Sequence, residues 1–385
     1  MAMKLVAVLA LVTCPFVLTA EPGNEIVHSI PSTPAHPRNS EGSFVTLKSG
    51  RLLFYYSEFS GGASDFSSAR IVEIHSDDQG SHWSQPVAFA ETGANRNLMS
   101  VSMLRLASGK IALFVVVKKT GMNCRPYLWT SSDEATTWSK PVPVLKAPGY
   151  FVLNNDRVIQ TRSGRLIVPL AIRLVDEAMM TADDKAGANT LHWSVLWYSS
   201  DDEGATWRQS DTWWSMPVKS PSGLQEPGVV ELADGSLWGW ARTDQGAQYG
   251  FSSRDDGATW TAPVPTELKS PCSPASIMRL PHSSTLLAIY NDHSGRFPFP
   301  KDANPYGARS PLVAAVSHDG GRTWPERREI EADLSGSYCY TAMHWVGDDL
   351  LVAYSIRYPH QAHLGTLRIR RISLSWLPNA AREHP

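Results

Sequence analysis

Short alternating runs of apolar and polar residues, broken by tight turns, recur from one end of this chain to the other. In the stretch from Gln225 to Trp260, Gln225-Glu226-Pro227 precedes an apolar run, Val229 to Leu232, that reads as a strand. Asp234-Gly235 is a turn signal and Leu237 to Ala241 the returning strand, so the segment predicts a hairpin. The pattern repeats around Ser49-Gly50, Ser108-Gly109 and Ser163-Gly164, each flanked by apolar residues. Looser versions turn at His282-Ser283-Ser284 and Gly347-Asp348-Asp349, which brings the hairpins to six. No helical period is sustained and strands do not alternate with helices, so the pattern predicts an all-β chain.

Each of the first five hairpins is followed by another strand and then by an octet of the form S-x-D-x-G-x-T-W. Ser200/Asp202/Gly204/Thr206/Trp207, Ser253/Asp255/Gly257/Thr259/Trp260 and Ser317/Asp319/Gly321/Thr323/Trp324 keep every signature position. Ser76/Asp78/Gly80/Trp83 has His82 in place of Thr, and Ser131/Asp133/Thr137/Trp138 has Ala135 in place of Gly. These are Asp-boxes. The Ser and Asp bond turn amides, the Gly permits positive φ and the Trp packs under a neighbouring sheet. They are assigned no catalytic role. Copies at intervals of about fifty to seventy residues describe a ring of sheets. The last hairpin is followed by an alternating strand, Leu367 to Leu374. The expected fold is an all-β, six-bladed β-propeller with Asp-box repeats, one domain over residues 21–385, closed by pairing between its two ends.

Three insertions depart from the repeat. Leu174 to Asn189 is polar and acidic, Gln209 to Gly223 carries Trp213-Trp214, and His293 to Ala308 carries Phe297, Phe299 and Tyr306. Long loops in a compact propeller are often functional.

Length and charge refine this picture. A chain of 385 residues suggests more than one domain, but a ring grows by adding blades. A net charge of −2 gives no basic footprint for nucleic acid and no polybasic membrane patch. Lys4, the apolar Leu5 to Leu18 and Thr19-Ala20 before Glu21 read as a cleaved signal peptide over residues 1–20. Leu11-Val12-Thr13-Cys14 is the weaker, lipid-anchored alternative. The expected location is therefore secreted or periplasmic, and no later stretch is apolar enough to span a bilayer. Without the leader, Cys124, Cys272 and Cys339 remain, an odd number with no CxxC spacing. They are expected to be buried free thiols, and neither a metal nor an organic cofactor is expected.

Polar clusters stand just before the first strand of each blade, where a core-facing strand would not place them. They are Arg38-Asn39-Ser40-Glu41, Arg96-Asn97, Asn154-Asn155-Asp156-Arg157, Gln225-Glu226, Ser270-Pro271-Cys272-Ser273 and Tyr338-Cys339-Tyr340. In a propeller such positions converge on the axis, where they would form a polar pocket.

In this ordered set the chain resembles the sialidase (neuraminidase) superfamily over nearly all of its length after the leader. Arg38 resembles the arginine entering the first blade and Asp65 the aspartate after the first hairpin. Glu226 matches the glutamate opening an N/Q-E-x-x-V-V-E-L-x-D-G segment. Arg242 and Arg309 resemble the second and third arginines, and Cys339-Tyr340-Thr341 the segment with the nucleophilic tyrosine. The resemblance implies that three guanidiniums hold the carboxylate of a sialic acid. Tyr340 would attack with Glu226 as its base, since a carboxylate nucleophile would be repelled by the substrate, and Asp65 would protonate the leaving oxygen. Asn97, Arg125, Asp156 and Tyr338 are further candidate substrate ligands, with Tyr338 also a rival nucleophile. Pro37-Arg38-Asn39-Ser40 departs from the F/Y-R-I-P motif common in the family, and Glu226 with Arg242 could be a structural ion pair.

The leading expectation is an exo-α-sialidase, a retaining glycoside hydrolase acting on sialylated glycans. The alternatives are a glycosidase or intramolecular trans-glycosylase acting on a related acidic sugar, and a non-catalytic carbohydrate-binding propeller.

Overall fold

The computed structural model describes residues 21–90, 97–121, 123–173, 192–300, 309–361 and 363–378. The predicted signal peptide, Arg96, the insertion at 174–189 and residues 301–308 of the insertion at 293–308 lie outside the described residues. Among the described residues every regular element is a β-strand. None contains a helix long and apolar enough to cross a membrane.

The strands form a β-propeller arrangement of antiparallel meanders. Arg38–Thr46, Leu52–Ser60, Ser68–Ser76 and Val87–Ala90 make one four-stranded sheet. Gln225–Glu231, Leu237–Arg242, Tyr249–Ser253 and Val264–Pro265 make a second; Ser276–Arg279, Leu286–Asn291, Leu312–Ser317 and Glu326–Glu331 make a third. The fourth closes the ring. It runs Asn24–Ile30, Thr366–Ser373, Asp349–Arg357, Ser337–Val346, so a strand from the beginning of the chain pairs with one from its end. The remaining strands, from Asn97–Arg105 to Trp214–Ser215, form one continuous ten-stranded sheet. Two meanders meet in it through the parallel bridge Tyr150↔Cys124. The expected six separate sheets are therefore four separate sheets and one joined sheet.

The Asp-boxes explain how consecutive sheets stay in contact. In the box at Ser253, the serine Oγ donates to Asp255 Oδ1 (2.8 Å) and accepts from the Gly257 amide (2.9 Å). Thr259 donates its amide and its hydroxyl to the two Asp255 oxygens at 2.9 and 2.5 Å, and the Trp260 indole donates to the Gly257 carbonyl at 3.2 Å. The locked turn presents the indole to the preceding sheet. Trp260 stacks on Trp197 with centroids 4.2 Å apart, Trp207 meets Phe114 edge-on at 6.1 Å, and Trp138 meets Tyr55 at 6.1 Å. His82, replacing Thr, still bonds Asp78 through its ring at 2.6 Å.

The centre of the ring is polar. Asn155 Nδ2 donates to the carbonyls of Gly42 (3.0 Å) and Tyr340 (3.3 Å). Asp156 accepts from Ser43 Oγ (2.8 Å) and the Met343 amide (2.9 Å). Arg157 donates to Ala275 O (2.7 Å) and Ser276 Oγ (3.0 Å). This segment thus ties the inner strands of three other sheets together across the axis. Such backbone and hydroxyl partners satisfy groups whose burial would otherwise be costly.

Candidate active site

At one end of the inner strands lies a cavity of roughly 310 Å³, lined by Asp65, Lys118, Glu226, Arg242, Arg309 and Tyr340 among others. No Asp-box residue lines it. The volume lies at the small end of the range typical of ligand pockets.

A repeated backbone device aims side chains into this space. The inner strands carry bulges between Ser40 and Ser43, Met99 and Val101, Gln225 and Gly228, and Cys339 and Ala342. Within them Glu41, Ser100, Glu226 and Tyr340 adopt φ of 58°, 57°, 48° and 58°. All four side chains line the cavity. A bulge inserts an unpaired residue and redirects it out of the regular alternation, and a positive φ for such side chains is strained by about 1–3 kcal/mol. Asp156 has φ 57° but points its carboxylate into the central hydrogen-bond network instead. Near the fifth inner strand Pro274 follows Ser273, and no residue there has positive φ.

Glu226 and Tyr340 meet across the ring. The Tyr340 hydroxyl donates to Glu226 Oε1 at 3.3 Å, and Arg242 Nη1 donates to Glu226 Oε2 at 2.9 Å. Arg309 lies over the Tyr340 ring at 5.4 Å. Burial and the Glu226 charge push the Tyr340 hydroxyl above its ordinary range, with Arg309 and Arg242 opposing. Two of the arginines rest on sulfur: Arg242 Nε donates to Cys272 Sγ (3.2 Å) and Arg309 Nη1 to Cys339 Sγ (2.9 Å). The three expected thiols are indeed free and buried. Arg309 is 9% exposed and makes no ion pair with a carboxylate among the described residues.

Asp65 sits on the loop following Leu52–Ser60, its carboxylate 58% exposed to the cleft. Arg38 Nη1 donates to Asp65 Oδ1 at 2.6 Å, and Arg38 Nη2 donates to Glu41 Oε1 at 2.5 Å. Withdrawal from bulk water raises the Asp65 carboxyl, but Arg38 and Lys118 outweigh it and hold the group at about 2. Arg38 itself is buried beneath these carboxylates and is not among the lining residues.

The other candidate ligands lie elsewhere. Asn97 is buried and donates Nδ2 to the backbone carbonyls of Asp65 (2.7 Å) and Ser67 (3.0 Å), so it braces the Asp65 loop. Arg125 turns to Asn123 Oδ1 and the Lys146 carbonyl, outside the cavity lining. Asp156 is held in the central network, and Tyr338 is buried in an apolar cluster with Tyr354 and Ile356. The structure places none of these four in the lining.

Sequence reasoning passed over the cavity's other half, formed by Phe66, Met99, Val116, Lys118, Tyr150 and Trp193. Periodicity gave no signal for Lys118, because its strand is buried on both faces from Ile111 to Lys118; the only hint is a lysine directly after an apolar run.

The meanders, the Asp-boxes and the polar cavity at one end of the inner strands define an Asp-box propeller. A BNR repeat-like domain is recognised over residues 59–352, and the chain belongs to that family. No curated protein matches the chain. Its fold is similar to that of the Hadza microbial sialidase Hz136 (TM-score 0.67, 19% identity, covering 89% of this chain and 67% of that one). It is likewise similar to the intramolecular trans-sialidase from Ruminococcus gnavus (TM-score 0.68, 15% identity, 95% and 99% covered). A protein of unknown function from Dyadobacter fermentans has a TM-score of 0.65 at 18% identity, with 91% and 100% covered.

Proposed function

We propose that this protein is an exo-α-sialidase that removes terminal sialic acid with retention, working as one six-bladed domain in a secreted or periplasmic location. On this reading the ten-stranded sheet counts as two blades joined at Tyr150 and Cys124. The observation that carries the reading is the contact of the Tyr340 hydroxyl with Glu226, beside two buried guanidiniums of which Arg309 has no carboxylate partner among the described residues. A buried cation without an anion is costly, and a ligand carboxylate would relieve it.

The substrate carboxylate lies between Arg242 and Arg309 and competes with Asp65 for Arg38. Tyr340 Oη attacks the anomeric carbon, its proton passes to Glu226, and the bond to the aglycone oxygen breaks as Asp65 protonates that oxygen. Water then displaces Tyr340 from the same carbon, with the protons returning to Asp65 and Tyr340, and two displacements give retention. In the free protein Asp65, at about 2, is ionised. Loss of Arg38 to the substrate removes the larger of the two charges that hold it there, and the substrate carboxylate adds a negative one, so the acid is armed by binding.

Purified protein is to be assayed on α2,3-, α2,6- and α2,8-linked sialosides. Release by wild type, with loss of turnover by orders of magnitude in Tyr340→Phe and little loss in Tyr338→Phe, is the expected result. A 2,3-difluoro sialic acid probe should label Tyr340; labelling of a carboxylate or of Tyr338 overturns the assignment. A second reading, intramolecular transfer, is favoured by the aromatic wall of Phe66, Tyr150 and Trp193, which restricts water. The product decides: a free sugar means hydrolysis and an anhydro sugar means transfer.

A further inference from the structure

Lys118 touches none of the reacting atoms above and acts there only through its charge on Asp65, yet it is among the most buried polar side chains of the described residues, at 1% exposure. It ends the inward-facing series of the strand Ile111–Thr120 and lines the cavity. Its ammonium donates to the Asp65 backbone carbonyl and lies 3.9 Å from Met99 Sδ. It stands 4.5 Å from the centroid of Phe66 and 5.3 Å from that of Tyr150. Trp193 packs against Tyr150, with centroids 6.0 Å apart, and extends this wall.

An ammonium has three donors, and here one oxygen and one weak sulfur acceptor meet them. It forms no ion pair with a carboxylate among the described residues; the aromatic faces and the more distant charges of Asp65 and Glu41 stabilise it. The cavity therefore has two cationic ends. Asp65 joins them, with its carboxylate on Arg38 and its carbonyl on Lys118. An anion at Arg242 and Arg309 leaves the Lys118 end to be filled by another part of the same ligand. An apolar group entering that lobe would displace water and strand the donors, whereas an oxygen acceptor would complete them.

We propose that Lys118 is a specificity-determining residue, selecting acidic sugars that present an oxygen acceptor to the aromatic lobe over those presenting an apolar substituent there. The inference rests on the sialidase reading for the position of the carboxylate.

The test compares wild type with Lys118→Met on aryl sialosides changed one substituent at a time. The ring and side-chain hydroxyls are removed singly, and the N-acetyl group is replaced by N-glycolyl or by hydroxyl. At one position wild type should favour the oxygen-bearing substrate by about 10- to 100-fold in kcat/KM, and Lys118→Met should lose that preference. All other changes should affect both proteins equally. Equal loss on every substrate in Lys118→Met means that Lys118 only braces the Asp65 loop, and overturns the proposal. If Lys118→Met does not fold, the wild-type series decides, and the absence of any position with such a preference overturns it. Turnover without a Lys118-dependent preference overturns this inference alone; no wild-type turnover of any sialoside overturns the sialidase reading and this inference with it.

Discussion

Tyr338 and Tyr340 show what a single backbone angle does to a site. Two residues apart on a regular strand they would share a face, so alternation alone offers no reason to prefer one; only the Cys339-Tyr340-Thr341 motif does. The bulge and the positive φ at Tyr340 break the alternation, sending Tyr340 to the cavity and leaving Tyr338 in the apolar core. The same device hid the fate of Asp156, whose polar neighbours looked like pocket residues while its own carboxylate ties strands together. Glu226, Arg242 and Tyr340 were legible because the surrounding motif marks them. Lys118 was not legible, because its strand is buried on both faces and alternation there marks no side. At this scale two results are expected. Arg309→Lys should weaken binding of an unreactive sialic acid analogue by about 10-fold or more with the melting temperature nearly unchanged, because a point charge replaces a planar fork. Binding of the analogue equal to wild type in calorimetry counts against the anion site. Because free Asp65 sits at about 2, kcat/KM should fall as pH rises from 4 to 7, while kcat, which reports the complex, should hold to higher pH. Parallel pH profiles would show that Asp65 is not armed by binding.

The Asp-box is the element in which the sequence was read most fully, since every donor and acceptor in the turn is named by the motif. At the glycine position of the box Ala135 adopts φ 64°, where the matching glycines Gly204 and Gly257 have 94° and 84°. An alanine there carries the Cβ clash that glycine avoids. Ala135→Gly should therefore stabilise the protein by up to about 1 kcal/mol despite glycine's greater freedom when unfolded. A lower denaturation midpoint in Ala135→Gly would show that the strain is smaller than that freedom. The box aspartates also set an acid limit. Hydrogen bonds from Thr206 and Ser200 hold Asp202 at about 2, and Asp133 and Asp319 are lowered by similar bonds. Folded values below unfolded ones give stability that is present above about pH 4 and lost as pH falls toward 2. Thermal melts across that interval check the sign.

For the whole molecule the closing sheet decides when the fold is complete. That the ends would pair was legible; the register, with its irregularity between Ile26 and His28, was not, because alternation in an edge strand fixes a face and not a partner. His344 on the last inner strand meets Thr46 Oγ1 of the first at 2.7 Å and packs on Phe44 at 6.0 Å. Burial pulls its imidazole down to about 4. The unfolded chain then binds a proton that the closed ring refuses, so stability falls between about pH 6.5 and pH 4, by at most about 3 kcal/mol. In His344→Gln that part of the pH dependence should vanish from chemical denaturation curves; an unchanged curve would assign it to other groups.

The segment Asn154–Arg157, tied to three other sheets across the axis, turns the propeller's centre into a cul-de-sac. On the sialidase reading a glycan could not be threaded through the ring, and only a chain end entering head first would reach the floor. Traffic is also single-file. On the same reading a departing aglycone would leave by the door through which the next reactant must come, and a bulky one that lingered there would delay everything behind it.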